Sequence, residues 1–146
     1  MHKKKYIPDE QPLGRILAGI GKEYLRLLNS KLIHLDLEKN YYTLIIIDKS
    51  HEQITQQELS NKSGLDKVSI VRIIDYLSSK GYVERVRNNN DRRKYSLKLT
   101  KKATLILPEI KNKIEETTRI ALLGLEKDEI NNFYKTLNII NNNIKK

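Results

Sequence analysis

Basic side chains are concentrated in one short stretch of this chain, residues 80–102. The stretch holds nine lysines and arginines against two acidic residues, so it carries +7 of the chain's formal net charge of +10. Arginine and lysine donate hydrogen bonds to phosphate oxygens, and a cluster of them is typical of a nucleic-acid-binding surface. We therefore expect this stretch to bind a polyanionic backbone. Its basic residues are Lys80, Arg85, Arg87, Arg92, Arg93, Lys94, Lys98, Lys101 and Lys102.

A second set of chemically useful side chains comes just before this stretch. Residues 67–80 carry apolar side chains at helical spacing, which predicts a helix with one core-facing side. The opposite side mixes hydrogen-bond donors with small apolar groups, a combination suited to base edges, thymine methyls and phosphates in the major groove of DNA. An ordinary solvated surface is the alternative. The groove-facing candidates are Lys67, Val68, Val71 and Arg72; Arg72 would meet a guanine or a phosphate, and the valines would suit an AT-rich site.

The elements that must position these residues begin with two helix starts. Thr55 and Glu58 have the spacing of a capping box, and Asp66 is a favourable N-cap for the next helix. Gly64 lies between the two helices, where a left-handed residue can end the first and direct the second. Two capped helices joined by such a turn predict a helix-turn-helix. Two residues near the helix starts are candidate phosphate contacts or, equally, local caps: Gln56 and Ser69.

The basic stretch itself predicts a β-hairpin. Residues 82–87 and 94–99 alternate in polarity as strands do. Residues 88–91, three asparagines and an aspartate, predict the turn because these side chains tolerate left-handed backbone. A thin two-stranded ribbon with a basic tip suits a narrow groove and its phosphate walls, so hairpin and helices together predict a winged-helix DNA-binding domain. Its candidate phosphate contacts are Arg85, Arg92 and Lys94.

The same residues resemble a known family. Residues 91–100 are similar to the wing signature of the MarR family of bacterial transcription regulators, in which Asp-Arg-Arg precedes an apolar-alternating strand that ends in Leu-Thr. The resemblance covers the chain from about Pro12 onward and is specific from Gln53 to Thr100. It departs at Val68 and Val71, where the family usually has serine or threonine. Other matching positions are Gln57, Glu58, Leu59, Gly64, Asp66, Lys67, Arg72, Leu77, Gly81, Val83, Glu84 and Arg85.

This resemblance implies roles for further residues. The family's matching wing arginine commonly enters the minor groove, which gives that role to Arg93, and Asp91 is expected to hold Arg93 or the turn in shape. Members often bind phenolic or other lipophilic effectors between the dimerisation helices and the winged domain, and then release DNA. The residues near such an effector site in this chain are Tyr24, His34, Tyr41 and Tyr42.

The flanking segments predict three more amphipathic helices, which begin near Leu13, after a Thr100 cap, and near Leu125. Pro108 is expected to bend the second of them. Residues 40–49 predict a buried helix, although their β-branched run also suits a strand. A winged domain has its own core, so the apolar stripes of the flanking helices need a partner. A symmetric homodimer is the economical answer, and packing around one monomer's core is the alternative.

These elements define the predicted organisation. The fold is mainly α (α+β), a winged helix-turn-helix with a two-stranded wing and with N- and C-terminal dimerisation helices. Residues 1–38 form an N-terminal arm, mobile over residues 1–10, and a dimerisation helix. Residues 39–100 form the DNA-binding domain, and residues 101–146 the C-terminal dimerisation helices.

Composition and spacing argue against several classes of protein. A chain of 146 residues without cysteine has no disulfide, thiol sensor or cysteine-bound zinc, and it fits the cytoplasm. No apolar run is long enough to span a membrane, and the N-terminus does not read as a signal peptide. His2, His34 and His51 lack metal-ligand spacing, and no nucleophile motif or phosphate-binding loop is present. We therefore predict no enzyme, no metal and no cofactor.

The predicted function is a sequence-specific transcriptional regulator, a repressor in its simplest form. As a homodimer it would bind a pseudo-palindrome in double-stranded DNA, with half-sites about one helical turn apart. Two alternatives stay open: a winged-helix protein-interaction module, against which the basic wing argues, and a nucleic-acid-binding protein without sequence preference.

Overall fold

In a computed structural model, the described residues, 12–51 and 53–145, form six α-helices, one turn of 3-10 helix and three strands. The arm predicted for residues 1–10 lies outside the described residues. The elements are α1 (Leu13–Leu32), a 3-10 turn (Ile33–Leu35), α2 (Tyr41–Lys49), β1 (Ile54–Thr55), α3 (Gln56–Ser63), α4 (Lys67–Ser79), β2 (Val83–Arg87), β3 (Tyr95–Leu99), α5 (Lys101–Ala121) and α6 (Lys127–Ile144).

The predicted winged-helix fold is confirmed, and its core lies where the apolar spacing indicated. In α4, Ile70, Ile74 and Leu77 are buried and Ile73 is half-buried. The β-branched run of residues 44–47 is helical, as part of α2, because burial of its side chains outweighs its strand propensity. The helices around α4 complete one continuous core through Leu28, Leu32, Leu44, Ile47, Leu59, Ala103, Leu107 and Ile110.

The sheet has a third strand that was not predicted. The order is β1-β3-β2, and both pairings are antiparallel. Ile54 lies opposite Leu97 and Thr55 opposite Ser96, so the two residues before α3 are strand as well as helix cap. Ser96 of the central strand lies between Thr55 of β1 and Val86 of β2 and is buried. The wing is therefore fixed at its base to the start of the helix-turn-helix.

Three helix faces carry apolar side chains that the described residues leave uncovered. The first half of α1 exposes Leu13, Leu17 and Ile20, and the end of α5 exposes Ile120. No residue of α6 is buried. α5 continues through Pro108 to Ala121, and a left-handed Gly124 separates it from α6. Among the described residues, no helix is both long and apolar enough to cross a membrane.

An acid-sensitive bridge joins α1 to α5. The Glu116 carboxylate accepts hydrogen bonds from Lys113 Nζ at 2.9 Å and from Lys31 Nζ of α1 at 3.0 Å. These two ammonium groups, Lys113 first, lower the pKa of Glu116 from 4.5 to about 2. Because the pKa is depressed in the folded state, this stabilisation is present above about pH 4.5 and is lost as the pH falls towards 2.

We therefore expect Glu116→Gln to remove part of the acid dependence of stability. Urea unfolding between pH 2 and 6 should show a smaller loss of midpoint on acidification in the variant than in the wild type. Glu115→Gln, at an exposed neighbouring position, is the control and should keep the wild-type profile. If both variants show the same acid dependence of stability, the bridges from Lys31 and Lys113 to Glu116 do not contribute to it.

Candidate nucleic-acid interface

The turn between α3 and α4 has the predicted caps. Thr55 Oγ1 accepts from the Glu58 N–H at 3.2 Å, and the Glu58 carboxylate accepts from the Thr55 N–H at 2.9 Å. Gly64 ends α3 with φ of +74°. Asp66 accepts from both the N–H and the hydroxyl of Ser69 at 2.8 Å, and these bonds hold the pKa of Asp66 below its ordinary value. The direction in which α4 leaves the turn is thus set by local hydrogen bonds.

The far end of α4 is attached to the connection between α1 and α2. Tyr76 donates to the Asp36 carbonyl at 2.7 Å, and Lys80 Nζ lies 2.6 Å from the Asp36 carboxylate. The hydrogen bond from Lys80 holds the pKa of Asp36 below its ordinary value. Tyr82, just after the helix, donates to the Leu35 carbonyl at 2.8 Å. Hydrogen bonds and an ion pair therefore hold α4 at both ends, while its other side stays exposed.

That exposed side carries the four predicted groove-facing residues together. Lys67, Val68, Val71 and Arg72 are all exposed, Val68 with 80% of its surface in solvent and Val71 with 42%. Ser69 is half-buried, and its hydroxyl donates to the carboxylate of Asp66, the N-cap of α4. The surface offered by the first turns of α4 thus consists of two cationic donors and two branched apolar side chains.

The tip of the wing is held by two side chains of its own turn. Asn88 Oδ1 accepts from the N–H groups of Asn90 and Asp91, at 2.8 and 3.1 Å. The Asp91 carboxylate accepts from Arg93 N–H at 3.0 Å and lies 3.4 Å from Arg93 Nε. The Arg93 side chain is nevertheless 92% exposed, beside an exposed Arg92 and Lys94. Asp91 thereby restrains Arg93 and leaves the Arg93 side chain exposed.

Arg87 and Tyr95 add a contact that sequence reasoning missed. They face each other across the hairpin, and the Arg87 guanidinium lies 5.5 Å from the centre of the Tyr95 ring. Arg87 Nη1 also donates to the Arg92 carbonyl at 2.7 Å. The pair was missed because the predicted turn covered only residues 88–91, whereas the two strands are joined by residues 88–94, which places Arg87 opposite Tyr95.

Arg85, predicted to bind phosphate, and Gln56, predicted either to bind phosphate or to cap its helix, contact each other. Arg85 Nε donates to Gln56 Oε1 at 2.7 Å, and Arg85 Nη2 lies 2.6 Å from the Asp75 carboxylate. The three residues, which we call the Gln56–Arg85–Asp75 bridge, join the start of α3, strand β2 and the exposed side of α4. Arg85 is thus engaged by its own chain, because β2 runs beside α4 and places the guanidinium against the only carboxylate within α4.

The four residues of the implied effector site do not lie together. Tyr24 and Tyr42 line a cavity of about 480 Å³ between α1, α2, α5 and α6, whose wall includes Phe133 and Tyr134. Burial, with the neighbouring Tyr24, raises the pKa of Tyr42 to about 12. The other two residues do not line this cavity: Tyr41 is buried in the core with its hydroxyl on Asn29, and His34 Nε2 lies 2.6 Å from Glu109 at the surface.

Comparisons with known proteins identify the architecture that holds these sites. Residues 39–95 match the MarR family model. The crystal structure of a mutant MarR from E. coli complexed with operator DNA is 28% identical to this chain, with a TM-score of 0.81, over 94% of this chain and 99% of that one.

Two more distant structures share the fold. A MarR transcriptional regulator from Methanosarcina mazei Go1 is 23% identical, with a TM-score of 0.80 over 90% of this chain and 94% of that one. The transcriptional regulator SlyA is 20% identical, with a TM-score of 0.85 over 92% and 94%. The family model thus covers the helix-turn-helix and the start of the wing, and the fold of the E. coli MarR structure extends over nearly the whole chain, so this chain is similar to MarR-family regulators in both its winged domain and its overall fold.

Proposed function

We propose that the protein is a sequence-specific DNA-binding transcription regulator that acts in the cytoplasm as a homodimer. The observation that carries the proposal is the exposed side of α4, a helix bonded to the rest of the chain at both ends, beside a wing whose tip presents Arg92, Arg93 and Lys94. A helix of this kind fits the major groove, and a thin basic ribbon fits the adjacent minor groove. The E. coli relative crystallised with operator DNA supports the same assignment.

Charge placement favours DNA over a protein partner. The wing and its margins hold +7 of the net +10, and a protein-binding wing has no need of that charge. A non-specific polyanion binder would share the charge, but it would not require a recognition helix held at both ends. The two alternative functions therefore explain less of the described surface.

The uncovered apolar faces support the homodimer. Exposed apolar side chains on α1, α5 and α6 need a partner, and a second copy supplies the same faces by two-fold symmetry. In this arrangement residues 1–38 and 101–146 form the dimerisation segments, and residues 39–100 form the DNA-binding domain. Two α4 helices related by a two-fold axis would read half-sites about one helical turn apart.

The cavity at Tyr24 and Tyr42 is the proposed effector site. It lies between the proposed dimerisation helices and α2 of the winged domain, and its wall is mainly apolar with phenol rings. A small planar lipophilic ligand would fit about 480 Å³ and change how the helices pack. We propose that the protein represses transcription by covering its operator and that such a ligand releases it. Titration of the operator complex with simple phenols tests the release.

Binding to the DNA just upstream of the protein's own gene, compared with a scrambled duplex across a salt series, tests the proposed function. A two-fold symmetric footprint of roughly 20 base pairs and a specific advantage of about 10³ or more are the expected results. Equal, steeply salt-dependent binding to that duplex and its scrambled version, with no sequence enriched from a random pool, would favour the non-specific alternative. No binding to any duplex at low salt would favour the protein-interaction module.

The Gln56–Arg85–Asp75 bridge predicts a charge rescue. Arg85→Ala would leave the Asp75 carboxylate unpaired beside the DNA phosphates, so operator affinity should fall by about tenfold. Asp75→Asn in the same chain should restore most of it, because the repelling charge is gone. Gel-shift titrations of both variants measure the effect. If Arg85 instead contacts phosphate, the double variant will stay as weak as Arg85→Ala and its salt dependence will be reduced.

A further inference from the structure

Two apolar side chains of α4, Val68 and Val71, are exposed to solvent. Val68 is 80% exposed in the first turn, and Val71 is 42% exposed one turn later. Residues three apart on a helix share a face, so the two valines form one apolar surface between Lys67 and Arg72. Apolar side chains form no hydrogen bonds with water, so covering them with an apolar group of a partner would be favourable.

The polar groups beside the valines are already used within the chain. The Asp75 carboxylate is bound by Arg85 at 2.6 Å, and the Ser69 hydroxyl donates to Asp66 at 2.8 Å. The carboxylates that could accept a hydrogen bond from the amino groups of cytosine or adenine are therefore held by their own chain. This part of α4 can contact a base edge with the hydrogen-bond donors of Lys67 and Arg72 and with the methyl groups of the two valines.

From this inventory we infer that α4 reads thymine methyl groups through Val68 and Val71. The inference rests on the proposed function, since it names what the DNA-facing side of α4 recognises. Of the four natural bases only thymine carries a methyl group in the major groove, and apolar contact is how proteins recognise it. A three-residue step along a helix advances about 4.5 Å. That is close to the base-pair rise of about 3.4 Å, so the valines can contact methyls on neighbouring base pairs.

The surroundings favour DNA as the partner that covers the valines. Lys67 and Arg72 flank them on α4, and the basic wing lies on the same winged domain. A protein partner for two valines would have to neutralise these cations, whereas DNA phosphates do so on either side of the groove. The 5-methyl group of methylated cytosine has the same chemistry as that of thymine, and the test distinguishes the two.

The test is a double-mutant cycle between protein and DNA methyls. A duplex is first enriched from a random pool with the full-length protein, and thymines in one half-site are then replaced singly by deoxyuridine, which lacks only the methyl. We expect about fourfold weaker wild-type binding at each thymine that is read. Val68→Ala removes the contact from both half-sites of the homodimer, so it should bind the thymine duplex about sixteenfold more weakly than the wild type and lose its response to one of these replacements. Val71→Ala should lose the response to another.

The matched control is Leu105→Ala, which trims an exposed apolar residue on α5 and should keep every thymine response of the wild type. Uracil replacements that cost nothing, or that cost the same in the wild type and in both valine variants, would overturn the inference while leaving the regulator intact. Stronger binding to a 5-methylcytosine·guanine pair than to thymine·adenine at the same position would overturn the assignment to thymine. If no sequence is enriched from the pool, the proposed function itself fails.

Discussion

Arg93→Ala is expected to weaken operator binding on the order of 10²-fold. The Arg93 side chain is 92% exposed at the wing tip, and Asp91 accepts from its N–H and lies near its Nε. A guanidinium in a narrow minor groove gains from the concentrated negative potential there. Each wing should lose about tenfold, or about 1.4 kcal/mol, and a dimer has two wings. Fluorescence anisotropy with the enriched operator at fixed salt measures the loss.

Arg26→Ala is the control for this prediction because it removes the same charge from α1. Arg26 is exposed and paired with Glu23, away from the wing. Its operator affinity should stay within about twofold of the wild type. Arg93→Lys separates charge from shape: it keeps the charge but loses the planar fork, so intermediate binding is expected. Equal affinities for Arg93→Ala and the wild type would show that the wing tip does not enter the groove.

Ile140→Glu is expected to separate the two copies of the proposed dimer. Ile140 lies within the apolar stripe of α6, a helix without a single buried residue in the isolated chain. A glutamate there places a charge in each half of a symmetric apolar interface, which costs several kcal/mol. The dimer dissociation constant should rise by about 10³-fold or more. Because no α6 side chain is buried within one chain, the monomer should keep its fold.

Sedimentation velocity and circular dichroism together measure this outcome. Asn131→Glu is the matched control, since it adds the same charge nine residues earlier, on the opposite side of the same helix. It should remain dimeric and bind the operator like the wild type. A dimeric Ile140→Glu variant, or a wild type that is monomeric at micromolar concentration, would contradict the α6 interface.

The features that the sequence predicted correctly are set by contacts between residues that are close in sequence. The caps at Thr55 and Asp66, and the left-handed Gly64, act over a few residues, so the spacing of side chains was sufficient to locate the two helices. The same holds for the turn of the wing, where Asn88 and Asp91 bond to backbone groups two or three positions away. Local geometry therefore specified the position of the candidate DNA-binding surface.

The features that the sequence did not predict are set by contacts between segments that are far apart in sequence. The strand at residues 54–55 exists only because β3 returns beside it. Arg85 had the charge of a phosphate contact, and only the packing of β2 against α4 revealed Asp75 as its partner. Likewise, the family resemblance implied Tyr41 as an effector contact, whereas its ring fills the core and its hydroxyl bonds to Asn29.

The attachment of α4 to Asp36 has a consequence for how binding preference can change in evolution or by design. The helix is divided into an anchored half, with Tyr76 and Lys80 bonded to Asp36, and a presenting half whose outward residues add nothing to the core. Substitutions at positions 67, 68, 71 and 72 should therefore alter the preferred operator with little loss of folding free energy. A new recognition sequence grafted onto this frame would need to retain Tyr76, Lys80 and Asp36 as a set, together with the buried Ile70, and could vary at positions 67, 68, 71 and 72.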